Sequence, residues 1–323
     1  VRQTTFTPTK DAENTCRNRN VQFDIRIMQS KPYNKRRLFK IKNWSYLLDD
    51  DDKTAWIAKG HIGRCKRYKI PNSVNIDGKR YTITSIEMGA FNNPRTLRHL
   101  SIPDSIEYVD EDEFLFMSKL RSIYIGKGLK HLTDWHFRRE KSNVPLLINP
   151  KNLYLKTQNN LILTGDGKTV LCTMKRCRSY IIPEGVERIY ACAMWWNKIL
   201  EEVILPSTLK VVGDNGLSNN PNIRRLVFPE GFETFDVQGL MDCTGLEYLD
   251  LPSTLKKLTD SLYGCSNLKT IIIRTNHVFD ASVDFDDVPR DCKIIVPSNL
   301  LDDYKKHSFW QNYNIECTQS VSV

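Results

Sequence analysis

Leu246 to Pro252 reads LEYLDLP, and one period earlier Ile223 to Pro229 reads IRRLVFP. Leu200 to Pro206 reads LEEVILP, while Leu97 to Pro103 and Leu120 to Gly126 read LRHLSIP and LRSIYIG. Numbered from its first residue, each copy places apolar side chains at positions one, four and six and a Pro or Gly at position seven. Positions four and six have the period-two spacing of a strand with one buried face. A Pro or Gly after them stops the strand. A fixed spacing of 23 residues between such units marks a solenoid, in which each unit buries its apolar face only against its neighbours.

Position seven can be followed along most of the chain, at Pro71, Pro103, Gly126, Asn149, Pro183, Pro206, Pro229, Pro252, Arg274 and Pro297. The steps are 32, 23, 23, 34, 23, 23, 23, 22 and 23 residues, so two steps hold insertions. Apolar residues recur three and six places after the marker, as at Val186 and Ile189 or Phe232 and Phe235. A further inward segment carries Phe91, Phe114, Phe137, Met194, Leu217, Leu240 and Leu262. Each unit is therefore expected to hold one strand and an irregular or short helical return. The fold class that follows is α/β: a β-rich, right-handed leucine-rich repeat solenoid of about ten parallel rungs, with hairpin insertions and capping ends. Leu226, Phe228, Leu249 and Leu251 should be buried.

The expected division is residues 1–60 as leader and capping strands, 61–297 as solenoid with a hairpin insertion at 150–178, and 298–323 as C-terminal cap. Residues 1–20 are polar and read as a loose leader; Val21 to Met28, VQFDIRIM, alternates like a strand. Trp44 to Leu48 and Thr54 to Ala58 flank Asp49 to Asp52 and form a hairpin with a charged turn. Leu153 to Cys172 holds two apolar strands around Gly165-Asp166-Gly167, a hairpin that either projects as a binding element or, as we favour, pads one face. Tyr304 to Tyr313, YKKHSFWQNY, should close the last rung.

Composition narrows function by exclusion. The 323 residues carry a net charge of +9, with basic clusters at Lys35 to Arg37 and at Arg64, Lys66, Arg67 and Lys69. Such clusters either attract polyanions or are a solvated surface, and no nucleic-acid-binding motif accompanies them. No apolar run approaches the length of a membrane helix. The chain starts at Val1 without an apolar signal region and is expected to be a mature or trimmed form. The acidic run at Asp49 to Asp52 lacks a calcium-loop pattern. The nine cysteines show no zinc-ligand spacing. Cys65 and Cys177 occupy position one, while Cys243 and Cys265 lie three residues before it, so all four are expected to be reduced and buried. No nucleophile motif or phosphate loop is present, so no catalytic, cofactor or metal site is assigned.

In a strand, alternate residues face opposite ways, so positions three and five should line the outer wall. Position three is mixed and polar, with Tyr248 in it. Position five reads Lys69, Ser101, Tyr124, Leu147, Ile181, Ile204, Val227, Asp250, Ile272 and Ile295. Tyr124, Leu147, Ile181, Ile204, Val227, Tyr248, Ile272 and Ile295 are therefore the candidate partner-binding residues. An exposed apolar stripe marks a contact surface. Stacked β-branched residues also simply stabilise neighbouring strands, and that reading stays open.

IEMGAFNNPRTL at Ile86 to Leu97 followed by SIPDSIEYV, GCSNLKTIII at Gly264 to Ile273, and YIIPEGVERI at Tyr180 to Ile189 resemble the BspA-like, treponemal-type leucine-rich repeats. IPNSVNIDGKRYTITSI at Ile70 to Ile86 is similar to that family's first repeat, and VPSNLLDDYKKHSFW at Val296 to Trp310 to its closure. The resemblance covers about residues 44–313. Arg274 and Asn149 in place of the marker Pro, and Trp195-Trp196 where smaller residues are usual, depart from it. It implies a secreted or surface-anchored, non-enzymatic protein of host-associated bacteria, engaged in adhesion or protein–protein contact and without a cofactor. The expected partner is a host or extracellular protein, or a glycan, with no nucleic acid and no membrane span. The alternatives are a structural spacer without a specific ligand and a glycan-binding accessory protein, the latter favoured if Tyr124 and Tyr248 are exposed together.

Overall fold

The computed structural model describes residues 36–91, 94–110, 117, 119–132, 144–258, 260–279, 285 and 287–317. The expectations for residues 1–20, Val21 to Met28, Cys16, Phe114 and Phe137 lie outside them.

The chain enters through an antiparallel meander of β1 (Arg37–Ile41), β2 (Trp44–Asp49) and β3 (Thr54–Lys59). The first rung strand is β4 (Arg67–Lys69), followed by the hairpin β5 (Ser73–Ile76) and β6 (Lys79–Ile86). Its turn, Asp77-Gly78, has φ of 50° and 76°. Two successive positive φ values are what the tight turn of a twisted hairpin requires. Next come β7 (His99–Ile102), β8 (Tyr108–Val109), β9 (Ser122–Ile125) and β10 (Leu146–Ile148). The insertion holds β11 (Leu155–Gln158), β12 (Leu161–Thr164) and β13 (Thr169–Thr173). The regular rungs follow as β14 (Ser179–Ile181), β15 (Arg188–Ile189), β16 (Glu202–Ile204), β17 (Val211–Val212), β18 (Arg225–Val227), β19 (Thr234–Phe235), β20 (Tyr248–Leu251), β21 (Lys257–Leu258), β22 (Thr270–Ile273) and β23 (Lys293–Val296). The helix α1 (Leu301–Lys306) and β24 (Asn314–Cys317) end the described chain.

All ten strands expected ahead of the markers are present. They pair in parallel as β4-β7-β9-β10, β14-β16 and β18-β20-β22-β23. β24 adds one more parallel strand beyond β23. Positions four and six point inward: Leu226, Phe228, Leu249 and Leu251 are all buried. Deleting such a contact costs both transfer energy and a cavity, on the order of 2–5 kcal/mol for Leu to Ala.

The returns differ from the expectation. The returns after Pro183, Pro206, Pro229 and Pro252 each hold a two-residue strand rather than a helix, and these strands, β15, β17, β19 and β21, stack in parallel on β13 as a second sheet. The reason lies in the turns that follow. Cys192, Asn215, Gln238 and Asp260 have positive φ, as do Trp196, Asn219, Asp242 and Gly264 four residues on. A left-handed residue so soon after Ile189, Val212, Phe235 and Leu258 stops the strand at two residues. Asn, Asp and Gly tolerate this conformation; Trp196 does not favour it and is held by its neighbours. Its N–H donates to Ser218 O at 3.1 Å, its carbonyl accepts from Arg176 Nη1, and its ring meets Trp195 edge-on at 5.2 Å.

The core has two parts, and the insertion joins them. Leu161, Leu163 and Val170 pack with the regular rungs. Leu155, Ile162, Leu171 and Cys172 pack with the earlier ones. Apolar side chains at three consecutive positions, Leu161-Ile162-Leu163, belong to a strand covered on both faces. At the other end Trp310 is buried against Phe285 and Tyr304, with ring centroids 4.9 and 5.4 Å away, and its indole N–H donates to Phe279 O at 2.7 Å.

Two cysteines correct the reading. Cys243 and Cys265 are buried free thiols, but Cys65 and Cys177 are only half-buried. Both of the latter precede strands at a sheet edge, β4 and β14, where no rung strand covers the outer side. Burial pushes the Cys243 thiol up to about 12 and raises Cys265 as well.

Candidate functional site

The strand face is built by positions three and five of the rungs. Position five is apolar and open over much of its length. Ile181 is 54% exposed, Leu147 48%, Ile204 47%, Val227 44% and Tyr124 40%. Leu147 pairs with Tyr124 and Ile181 with Ile204 in backbone register, so each pair stands side by side across one strand spacing. Isolated exposed apolar residues are ordinary, whereas two such pairs and Val227 at one strand position are not; Leu147 and Ile181 belong to separate sheets, and the Asn159 amide of the insertion donates to Ile181 O at 3.0 Å.

The row does not run the full length that the sequence suggests. Ile272 and Ile295 are half-buried. Asp250, between Val227 and Ile272 in register, is buried and interrupts the stripe. Arg274 donates to its two carboxylate oxygens at 2.8 and 2.7 Å. This fork-on-carboxylate pairing compensates an otherwise costly buried charge. Tyr248 is no open platform either. It is half-buried, and the Arg225 guanidinium lies 3.7 Å from its ring centroid. The Tyr248 hydroxyl donates to Asp250 Oδ2 at 3.4 Å. Arg225, Tyr248, Asp250 and Arg274 thus form one polar cap where the apolar row ends.

Periodicity alone did not single out Arg225 or Arg274, yet a signal was present. Asp250 is the one acid in position five, and Arg274 is the one charged residue in position seven, one rung away. Two departures from consensus on neighbouring rungs with opposite charge indicate a pair.

The acidic turn is used by the chain itself. Asp49 Oδ1 accepts from the N–H groups of Asp51 and Asp52, each at 3.1 Å, and Asp50 accepts from the Tyr81 hydroxyl and from Arg37 Nε at 3.4 Å. The Tyr81 hydrogen bond, with help from Arg37, holds the Asp50 carboxyl below the usual range. Among the described residues no three His, Cys, Asp or Glu side chains are grouped to hold a metal ion.

The sequence matches the BspA type leucine rich repeat region in six copies, over residues 66–157 and 169–283. No curated protein sequence matches. Among solved structures, the pneumococcal vaccine antigen PcpA is 16% identical with a TM-score of 0.55, over 88% of this chain and 99% of that one. A leucine-rich repeat protein from Bacteroides ovatus is 15% identical with a TM-score of 0.44, over 87% and 100%. A leucine rich cell surface protein from Faecalibacterium prausnitzii is 17% identical with a TM-score of 0.39, over 91% and 97%. PcpA shares the fold. With more than half of its length matched and the rung architecture in place, this chain belongs to the BspA type leucine-rich repeat family.

Proposed function

We propose that this chain is a secreted or surface-displayed binding protein that holds a protein partner on its strand face, at Tyr124, Leu147, Ile181, Ile204 and Val227. The supporting observation is the row of five large apolar side chains left open to water on that face. Covering such a row is favourable at roughly 25 cal/mol per Å² of apolar area. A rigid solenoid spends little conformational entropy in presenting it. Ile181 and Ile204 stand toward its middle, where hot spots concentrate, and Val227 ends it beside the polar cap. Ile272 and Ile295 belong to the rim of this surface. The reading needs no catalytic group and no cofactor. Membership of a family associated with adhesion and protein contact supports it. Stacking of a sugar on paired tyrosines is disfavoured, because Arg225 already occupies the face of Tyr248.

The test is a binding screen of the intact chain against extracellular proteins and glycans, repeated with Ile204→Asp/Val227→Asp. The double variant should stay folded, since both side chains face solvent, with a modestly lower melting temperature because Val227→Asp sets a carboxylate opposite Asp250, and should lose the protein bound by the wild type. Wild-type affinity in a folded double variant moves the interface elsewhere. No protein partner across the panel favours the spacer.

A further inference from the structure

The column at position two of the rungs shows an unexplained change of rule. From the fifth to the ninth rung it alternates in sign: Arg178, Glu201, Arg224, Glu247, Lys269. The backbone holds them in step in two runs, with Glu201 N–H donating to Arg178 O at 2.7 Å, and both Glu247 N–H to Arg224 O and Lys269 N–H to Glu247 O at 2.9 Å. The side chains then pair across rungs, Arg178 with Glu201, and Lys269 with Glu247 at 2.7 Å. The column four residues past the marker obeys the same rule, with Lys130 on Glu107 at 2.6 Å, Lys210 on Glu187 at 3.1 Å and Lys256 on Glu233 at 2.9 Å.

In the first three rungs position two reads Lys66, Arg98, Arg121, with no acid between. The same backbone step is present: Arg98 N–H donates to Lys66 O at 2.9 Å and Arg121 N–H to Arg98 O at 2.7 Å. Arg67 stands beside this column and Lys69 closes the same strand. Lys66, Arg67, Lys69 and Arg121 are exposed and Arg98 is half-exposed. None of the five has an ion-pair partner among the described residues. Residues 64–69, 94–101 and 119–125 hold four, two and two Lys or Arg and no Asp or Glu. Stacking like charges about 4.8 Å apart, one per rung, opposes folding. A scaffold that neutralises its other columns and leaves this one bare presents a ready-made anion ladder.

We propose that these three rungs are a second binding surface, for a linear sulfated polysaccharide. Cations set one per strand spacing along a straight line suit an extended polymer with closely repeated oxyanions. Guanidinium groups take such oxyanions through paired N–H donors. Single-stranded nucleic acid is held by aromatic platforms set among the cations, and positions two and three of these rungs hold only Lys, Arg, His and Ser. Reading a duplex takes an element that enters a groove, which a flat sheet face does not supply. A bilayer surface would call for several apolar anchors among the cations, and positions two, three and five of these rungs hold one exposed large apolar side chain, Tyr124, on the last of the three. The fourth rung ends the surface, with Val144 and Pro145 at positions two and three.

The experiment titrates the full chain with a size-defined heparin oligosaccharide at several salt concentrations. Lys66→Gln/Arg98→Gln/Arg121→Gln is compared with Lys210→Gln/Lys256→Gln/Lys269→Gln, which removes the same net charge from cations that are already paired. The first variant should bind at least tenfold more weakly, and its dependence of log affinity on log salt should be shallower by about two, as expected when contacts that release counterions are lost. The second variant should bind like the wild type. Melting curves of both confirm folding. Absence of wild-type binding at low salt overturns the proposal, as does equal loss in the two variants, which reduces the effect to net charge. Single-stranded DNA of matched charge, or phosphatidylserine vesicles, binding as tightly as the oligosaccharide overturns the assignment to a polysaccharide. The apolar row is untouched by all these substitutions, so the outcome is independent of the protein-binding surface.

Discussion

The first three rungs and the regular rungs from Arg178 to Lys269 share one interior pattern and differ in how they treat charge. Inside, Ile123 of β9 and Leu249 of β20 occupy the same position and both are fully buried. Outside, the regular rungs alternate sign at every rung of two columns, while the first three expose a single sign in one. The difference separates two kinds of constraint. The interior column is fixed by burial, which every rung needs in equal measure. The surface columns are free, because exposed pairs contribute little to stability. The departure of a free column from neutrality in the first three rungs is what the proposed polysaccharide site would account for.

The largest expected effect tests the shared half of this comparison. Leu249→Ala should cost on the order of 2–5 kcal/mol, and Leu100→Ala in β7 should fall in the same range. Denaturant melts of the two variants check it. A silent Leu249→Ala would break the strand register, and a large gap between the two would show that the interiors are not equivalent after all.

The next effect sits at the polar cap that ends the apolar row. Arg274→Leu leaves the buried Asp250 carboxylate without its fork and should cost about 1–3 kcal/mol. Asp250→Ile/Arg274→Leu should recover most of that loss, since well-packed apolar residues replace a buried ion pair at little cost. Leucine is chosen over the consensus proline because the Arg274 N–H donates to Leu251 O at 3.1 Å. The double variant also extends the apolar row by one rung. Equal stability of single and double variants would show that the pair has no role in holding the fold.

The thiols distinguish rungs in the interior of a sheet from rungs at its edge. At pH 8, native labelling should modify Cys65 and Cys177 and spare Cys243 and Cys265, which react after unfolding. The sign with pH follows from the raised values. Unfolded thiols lose their proton near 9, while folded Cys243 keeps it to about 12. Its contribution is therefore complete below about pH 8 and declines as pH rises from 9 toward 12. For this thiol the loss is about 1.4 kcal/mol at pH 10. Rapid native labelling of Cys243 would place it at the surface.

Much of this architecture was legible because burial imposes a strict period. Positions one, four and six gave the ten rung strands and their inward faces. The second sheet was not legible, because two-residue strands such as Val211–Val212 are too short for an alternation to register, and the left-handed turns after them fall on Cys192 and Trp196 as well as on Asn and Asp. A doubled period was legible and is hidden by reading one copy at a time. PEG at Pro183 and Pro229 alternates with PST at Pro206 and Pro252. The structure shows why: Ser207 donates from its N–H and hydroxyl to Glu184, and Ser253 does the same to Glu230. The Gly185 and Gly231 N–H groups, at φ of 92° and 93°, donate to the Thr208 and Thr254 hydroxyls. The rungs are thus built in pairs, and the sign alternation of the charge columns has the same two-rung origin. At the candidate site, the sequence placed the exposed apolar residues in the right column but not their limit, since Asp250 and Arg274 interact only once the rungs are stacked.

The smallest effect bears most directly on what the charge difference means. Arg98→Glu converts Lys66, Arg98, Arg121 into an alternating column like Arg178, Glu201, Arg224. The new carboxylate would stand one rung from a cation on either side, where the backbone already aligns the three positions. A small rise in melting temperature at low ionic strength is therefore expected, fading as salt screens the column. The gain need not be large to be informative, because its sign is the point. A substitution that stabilises the fold and also abolishes binding of the heparin oligosaccharide would show that the wild-type column gives up stability for function. A fall in melting temperature at low salt would instead show that Arg98 has a structural partner, and the bare column would then be part of the fold. Reversing the sign in the regular rungs supplies the converse. Glu201→Arg replaces an acid between Arg178 and Arg224, and should lower the melting temperature at low salt while creating a second three-cation ladder. If that ladder binds the oligosaccharide as the natural one does, column charge alone is sufficient for recognition. If it does not, the flanking cations Arg67 and Lys69 are required as well, since the one cation flanking the new ladder, Arg225, already lies on the Tyr248 ring.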